Sequence, residues 1–433
     1  MGANRSAESA NVTKFEIHSN YDGKKLDMSG GLSRLCLYES IMDNTVRATA
    51  SIIDTGYRKS KTSSEGGFEK NDLNLTAGEK VIISVEDNQK NKINYELRIR
   101  EQINLIEHSS NSTYTIDMYS QESIDNELFE KRVTKRYDGK ISDNVQTILK
   151  NVLGTKKKIN VDSGLNEFNF LGHIQKPFYV CHWLAKRCVP EMPNSFGILA
   201  GYLFYETSKG FNFRSIDKLF QQKPKKSFIF SNTTQLPPGY NGKILDYGFE
   251  SSIDIEKKLL TGAFFQSRLK TFNPYTNEYT ESNFSHSEQL KKQNMAGKEI
   301  PKLASDLGVQ NKPTKDSVVT VDLGHTPKGS DLKTQLKDSK NKVNFNNEEI
   351  LRQSYMRYNE LFSIKLSITI PGDFSLNAGD LIRCDFPEIG NKRTKLVSDK
   401  KSGIYMIVDI CHYIDPKQTF TKINLVRDSI YKK

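Results

Sequence analysis

Apolar and polar residues alternate in short runs through residue 128. The runs are Phe15-Glu16-Ile17, Leu35-Cys36-Leu37-Tyr38, Val46 to Ile52, Val81 to Val85, Tyr95 to Ile99 and Tyr114 to Tyr119. A period of two puts successive side chains on opposite faces, which predicts half-buried β-strands. Turn chemistry separates them, at Tyr21-Asp22-Gly23, Ser29-Gly30-Gly31, Asp54-Thr55-Gly56 and Glu86-Asp87-Asn88. Gly admits left-handed backbone there, and Asn or Asp bonds its own turn. Many short strands with this punctuation predict a barrel or a sandwich.

The period changes after residue 129. Ser142-Asp143-Asn144 reads as a helix cap, Val145, Ile148, Leu149 and Val152 follow at helical spacing, and Gly154 closes the helix. A second helix starts at Pro177, a favoured first-turn residue, and ends at Pro190. Its apolar face carries Phe178, Cys181, Leu184, Ala185 and Cys188. An apolar hairpin follows, Ile198 to Tyr205 and Phe211 to Ile216, about a turn at Ser208-Lys209-Gly210. Residues 244–281 return to strand-like or mixed patterning, as at Ala263-Phe264-Phe265. Residues 282–345 are rich in Lys, Asn, Ser, Asp and Gly and nearly lack aromatics. A structureless run of that length is unusual in a compact domain, so it is expected to be a polar flexible insertion or arm. A helix capped by Asn347, with Ile350, Leu351, Tyr358 and Leu361 as its apolar positions, leads into a β-rich C-terminus. The expected organisation is α+β, mainly β. A first β-barrel domain covers 1–128 and an α+β middle domain covers 129–225. A second, discontinuous β-barrel domain is assembled from 226–281 and 346–433, with the insertion at 282–345.

Composition narrows the class. Only 36% of the 433 residues are hydrophobic, but 19 Tyr and 23 Phe argue against disorder. No apolar run reaches the ~18 residues of a membrane span, so no membrane anchor is expected. The N-terminus has no run of signal-peptide length. The cysteines are Cys36, Cys181, Cys188, Cys384 and Cys411. An odd count in a chain too large to need staples reads as free thiols in a reducing compartment. The net charge of +11 is dispersed, with small clusters at Lys156-Lys157-Lys158 and Lys223 to Lys226. Solvated loops are the plainer reading, and a basic surface toward an acidic partner or DNA is the other.

Candidate chemistry is sparse. Cys181, His182 and Cys188 lack the CxxC pairing of a metal site, and both cysteines fall on the apolar helix face, which points to core packing. His173 and His182 have no visible acid–base partner. Gly239-Tyr240-Asn241-Gly242-Lys243 has glycines too close for a phosphate loop, and Ile244 stands where a magnesium-binding hydroxyl belongs, so it reads as a turn after Pro237-Pro238. Glu348-Glu349 suits a helix N-terminus, where it complements the dipole. No nucleophile elbow or metalloprotease motif occurs. No catalytic, cofactor-binding or metal-binding residue is assigned, and no cofactor is expected.

The informative feature is a match between the two β-rich ends. Leu75-Thr76-Ala77-Gly78-Glu79-Lys80-Val81-Ile82 is similar to Leu376-Asn377-Ala378-Gly379-Asp380-Leu381-Ile382-Arg383. Further on, Thr113-Tyr114-Thr115 with Glu122-Ser123-Ile124 matches Thr419-Phe420-Thr421 with Asp428-Ser429-Ile430 at identical internal spacing. One lengthened loop, between Glu388 and Gly403, accounts for the small change of offset. Each first motif is a turn into a strand, with the acid on the solvent side. Each second motif is a strand that packs its aromatic on one face. Duplicated barrels explain two collinear matches, and coincidence is the other reading. Three copies of a chain with two similar domains would make a ring of six similar lobes, threefold on one face and close to sixfold on the other.

These residues, with Ala200-Gly201-Tyr202-Leu203-Phe204-Tyr205-Glu206, Gly210 to Asp217 and Gly403 to Ser429, give the chain a resemblance to a known family. It resembles the baseplate hub proteins of contractile-tailed phages, which are related to the hub portion of type VI secretion spike proteins. The resemblance covers most of the chain except 282–345. It implies two similar β-barrel tube domains flanking the α+β middle domain, a homotrimer, and no reaction or cofactor. It also implies partners: tail-tube or tube-initiator proteins on one face, the central spike protein on the other, further baseplate proteins and the tape-measure protein. The implied location is the phage tail baseplate of the virion, assembled in the host cytoplasm. Two other classes stay open: a tail-associated cell-wall hydrolase or peptidase, and a basic nucleic-acid-binding protein.

Overall fold

The computed structural model describes residues 7–432 except 22, 56, 60–67, 71–74, 110, 192–198, 232–234, 252–265, 274–277, 286–292, 301–313, 319–323, 326–330, 332, 335–346 and 389–396. Ile198 and the run Ala263-Phe264-Phe265 fall outside the described residues, as does most of 282–345. Fourteen strands form one large sheet, and strand numbers below refer to that sheet. The first seven are β1 (Asn11–His18), β2 (Lys25–Asp27), β3 (Leu32–Ser40), β4 (Arg47–Asp54), β5 (Lys80–Glu86), β6 (Lys92–Glu107) and β7 (Ser112–Ser120). The second seven are β8 (Lys226–Ile229), β9 (Gly242–Lys243), β10 (Asp246–Ser251), β11 (Ile364–Pro371), β12 (Leu381–Asp385), β13 (Gly403–Ile414) and β14 (Thr419–Arg427).

Hydrogen bonding orders the first set as β2-β1-β5-β6-β7-β4-β3 and the second as β9-β8-β12-β13-β14-β11-β10. Every strand of the first set therefore has a counterpart seven places later. The counterparts differ in direction at one end: β1 is antiparallel to β5, whereas β8 is parallel to β12. Neither path closes among the described residues. The barrels expected from the sequence are open arrays joined edge to edge. Asp409 to Ile414 of β13 pair antiparallel with Leu35 to Ser40 of β3. For the first array the reason is plain: the edge of β3 that closure would use is already bonded to β13.

The duplicated turns superpose bond for bond. Gly78 N–H donates to the Ile99 carbonyl and Ile99 N–H to the Glu79 carbonyl, at 2.7 and 2.9 Å; Gly379, Ile407 and Asp380 repeat this at 2.8 and 2.9 Å. Both glycines are left-handed, at φ +90° and +86°. The acid does not face solvent as expected. Glu79 is buried and accepts from Thr76 N–H, and Asp380 accepts likewise from Asn377 N–H. The acid thus holds the turn closed, which satisfies an N–H that the turn leaves free. The second match slips by one residue. Ile99 opposes Met118 and Ile407 opposes Leu425, so Thr113 corresponds to Phe420 and not to Thr419. A slip of one residue reverses every side chain in a strand. Accordingly Tyr114 is buried in the first core while Phe420 is only half-buried.

Each array has its own core. Phe15, Leu37, Ile83, Leu97, Ile116 and Met118 centre the first, which also takes in Phe374 and Ile414. Leu366, Ile368, Ile382, Tyr405, Ile407 and Leu425 centre the second. A third, aromatic core contains Phe168, Phe170, Phe178, Phe204, Phe211 and Phe213. Its helices are Ile141–Thr147 and Pro177–Ala185, and its hairpin is Tyr202–Thr207 with Gly210–Ser215. Ser142 lies inside the first turn instead of capping it. The second helix stops at Ala185, short of Pro190, because the Asn166 amide captures the Arg187 carbonyl and the Val189 N–H, at 2.7 and 2.9 Å. The hairpin starts only at Tyr202, since Gly201 breaks the strand at φ +119°.

Beyond Ser251 the chain leaves the large sheet. Gln266–Asn273, Glu278–Ser285 and Thr314–Val318 form a separate three-stranded sheet. Residues 266–273 and 278–281, which the sequence pattern allotted to the second barrel domain, pair within that small sheet, and 252–265 and 274–277 fall outside the described residues. Part of the expected flexible arm is packed: Ala296 and Ile300 are buried and Gly297–Glu299 pairs with Ile430–Lys432. No helix among the described residues is long and apolar enough to cross a membrane.

The two glycine turns make a controlled test. A Cβ at Gly379 would lie 2.2 Å from the Tyr205 hydroxyl, whereas at Gly78 its nearest neighbour is Asn20 at 3.6 Å. In urea unfolding, Gly78→Ala is expected to cost about 1 kcal/mol, the left-handed penalty alone, and Gly379→Ala about 3 kcal/mol.

Candidate functional site

The chemistry of this chain is concentrated where its three cores meet. Glu39 continues the inward alternation Leu35, Leu37 along β3, so its carboxylate is aimed into the interior. There it accepts from Tyr95 O–H at 3.0 Å, Ser208 N–H at 2.6 Å, Ala378 N–H at 3.1 Å and the Asn377 amide at 3.2 Å. Tyr95 belongs to the first array, Ser208 to the middle hairpin, and Asn377 and Ala378 to the turn before β12. One buried carboxylate thus bonds all three parts. Burial pushes its pKa up, and the converging donors oppose that rise.

A second junction lies beside it. Glu206 ends the apolar run Tyr202 to Tyr205 and is buried. It accepts from Val46 N–H at 3.0 Å and from the Lys157 ammonium at 2.6 Å, and Lys157 also meets Glu122 at 2.6 Å. The Lys156-Lys157-Lys158 cluster is therefore only partly a solvated loop. The Lys223 to Lys226 cluster behaves likewise: Lys225 meets Asp380 at 2.7 Å and Lys226 meets Asp373 at 2.6 Å. These lysines hold the protein's own turns together.

The third junction is centred on Arg357. The Asn347–Leu361 helix was expected to bury Ile350, Leu351, Tyr358 and Leu361. Ile350 and Leu361 are buried, but so are Gln353, Ser354, Arg357 and Glu360. The Arg357 guanidinium lies 2.7 Å from Asp428, 3.5 Å from Glu360 and 3.6 Å from Asp217, and donates to the Asn294 carbonyl at 2.7 Å. Asn294 N–H in turn donates to Asp217 at 2.9 Å. One guanidinium does not balance three carboxylates in a dry site. Burial, with the neighbouring Asp428 and Asp217 charges, raises the Glu360 pKa to about 8 against the pull of Arg357. Glu360 is thus the carboxyl that keeps its proton at neutral pH.

The residues set aside on sequence grounds lie as follows. Cys181 and Cys188 are buried in the aromatic core, and burial pushes both thiols up. His182 contacts Asn44, and burial pulls its pKa down to about 4. His173 lines a shallow depression with Gln175, Tyr179 and Trp183. Gly239 is a turn residue at φ +90° and Gly242–Lys243 forms β9, which pairs with β8. All five cysteines are free. No group of three potential ligands for a metal occurs among the described residues. Glu39, Asp217, Glu206, Arg357 and Asp428 were missed by sequence reasoning. The readable signal was a charge at an inward position of an apolar strand, as at Glu39 and Glu206.

No family model and no curated protein matches the chain. Solved structures do. It is similar in fold to the tail protein from Neisseria meningitidis MC58, with TM-score 0.52 and 10% identity, over 96% of this chain and 97% of that one. It is similar also to the 43 kDa tail protein of prophage MuSo2 from Shewanella oneidensis, with TM-score 0.51 and 10% identity, over 96% and 98%. The fold is shared with these two tail proteins across nearly the whole chain, and the tail-protein resemblance read from the sequence holds at the level of fold.

Two variants test the junctions. Glu39→Ala leaves several buried donors without an acceptor and is expected to lower stability by about 3 kcal/mol in urea unfolding. The pKa of Glu360 is higher folded than unfolded, so its stabilisation is complete at acid pH and is lost as pH rises through about 8. Glu360→Gln mimics the neutral acid. Its unfolding free energy is expected to stay flat between about pH 4.5 and about 8, the range in which the wild type weakens.

Proposed function

We propose that the chain is a structural subunit of a phage tail baseplate, serving as the hub: a trimeric ring that adapts the sixfold tail tube to the threefold central spike. The observation that carries this reading is the duplication. Two seven-strand paths of identical order occupy the two ends of the chain and share one continuous sheet. Three such chains present six alike arrays, which is the geometry a tube-to-spike adaptor needs. The fold likeness to two phage tail proteins over 96% of the chain supports it.

In this reading 1–128 and 226–281 with 346–433 are the tube domains, and 129–225 is the middle domain. The protein works in the virion by surfaces. Tube or tube-initiator proteins bind one face, the spike binds the other, and further baseplate proteins and the tape measure complete the set of partners. It catalyses no reaction. The buried carboxylates Glu39, Glu206, Asp217 and Glu360 hold the cores to one another and are closed to solvent.

Sedimentation equilibrium of the purified chain is expected to give a trimer. A monomer at the highest soluble concentration overturns the ring. Clearing in a cell-wall zymogram would favour a hydrolase instead, and salt-dependent retention on DNA would favour a nucleic-acid binder.

A further inference from the structure

The seam between the arrays has a counterpart that this chain leaves unfilled. In the second array, β13 bonds β12 through Gly403 to Met406, then passes a bulge after Ile407 and bonds β3 through Asp409 to Ile414. In the first array, β6 does the same up to that point. It bonds β5 through Lys92 to Arg98 and passes a bulge after Ile99. From Glu101 to Glu107 its only strand partner among the described residues is β7. Among the described residues, no strand fills beside β6 the position that β3 fills beside β13. The strand equivalent to β3 is β10, and among the described residues β10 pairs only with β11. The duplication thus leaves one edge of each kind unmatched, and the two edges are complementary by internal precedent.

We infer that Glu101 to Glu107 of β6 in one copy pairs antiparallel with β10 of a second copy of this chain, reproducing between copies the β13–β3 seam. The register follows from the equivalences. Met118 matches Leu425, Ile103 matches Cys411 and Ile106 matches Tyr413. Tyr38 matches Glu250 and Cys36 matches Gly248, because Arg47 and Lys365 hold the same place opposite Tyr119 and Val426. Transferring Cys411 opposite Tyr38, and Tyr413 opposite Cys36, puts Ile103 opposite Glu250 and Ile106 opposite Gly248.

The exposed surface agrees. In β13 the matching Cys411 and Tyr413 are half-buried beside β3, whereas in β6 Ile103 and Ile106 are 38% and 55% exposed, as is Leu105 at 52%. On β10, Phe249 is 36% exposed, with Leu245 just before it at 46%. Soluble proteins guard free edges with Lys, Pro or very short strands. Neither the Glu101 to Glu107 segment nor β10 contains a Lys or Pro. The one departure is an extra residue in β6 near Asn104, which is left-handed at φ +53°. Such a contact is head-to-tail, so successive copies alternate an internal seam with an external one and the chain of contacts closes as a ring.

The inference rests on the hub reading but is separable from it. In Ile103→Cys/Glu250→Cys the two thiols are directly opposed across the proposed seam, within disulfide reach. Oxidation is expected to give covalent oligomers ending at the size of the native assembly on non-reducing gels. An equal mixture of the two single variants is expected to give dimers and nothing larger, and neither single variant alone should cross-link. Ile106→Lys, at an exposed position, is expected to keep the wild-type melting temperature and lose assembly. If the wild type assembles but the double variant does not cross-link and Ile106→Lys still assembles, the seam is wrong and the hub reading stands. If the wild type does not assemble, both fail.

Discussion

The structure depends on one stretch of backbone pairing. Six residues of β13, paired on one side with β14 of their own array, bond on the other side to β3 of the other array. Main-chain bonds of this kind are insensitive to side-chain identity, so the arrays are locked in register by geometry first. Side chains then seal the seam. Ser40 donates to Asp409 at 2.6 Å, and Ile414 enters the core of the opposite array. Without this pairing the two ends of the chain would be separate sheets, each with an open edge.

Charges fix the middle core against that joined sheet. Burying Glu39, Glu206 or Arg357 is costly, and each is compensated by convergent partners from other parts of the chain. Glu39 serves all three cores, Glu206 couples the hairpin to β4 through Val46, and Arg357 brings Asp217, Asn294 and Asp428 together. Apolar packing alone would permit the cores to slide over one another. A carboxylate that needs particular N–H groups permits one arrangement only.

The same arrangement bears on function. Glu39, Glu206, Asp217 and Glu360, whose pKa values burial raises, sit at internal joints with their partners supplied by the chain itself. What remains for recognition is the rim of the arrays and their free edges. In the proposed hub reading these are the surfaces that meet the tube and the spike.

Much of this was legible in the residues. Alternation at Phe15-Glu16-Ile17 and Val81 to Val85 marked strands because a half-buried strand has no other pattern available. The Leu-x-Ala-Gly-acid turns marked a duplication because the turn requires a left-handed backbone, which glycine adopts at least cost. Local pattern could not reach further. The match of Tyr114 to Phe420 was one residue out, since similarity between sequences does not register which face a side chain takes. The pattern of the Asn347–Leu361 helix marked only its apolar positions, and Arg357 is buried as well because Asp217 and Asp428 arrive from distant positions to pair with it. The sequence by itself determined the strands, the turns and the repeat, all set by interactions within a few residues. The tertiary structure alone decided that the arrays join through β13 and β3 and that acids expected in water lie inside. Those outcomes rest on hydrogen bonds and ion pairs between residues hundreds of positions apart.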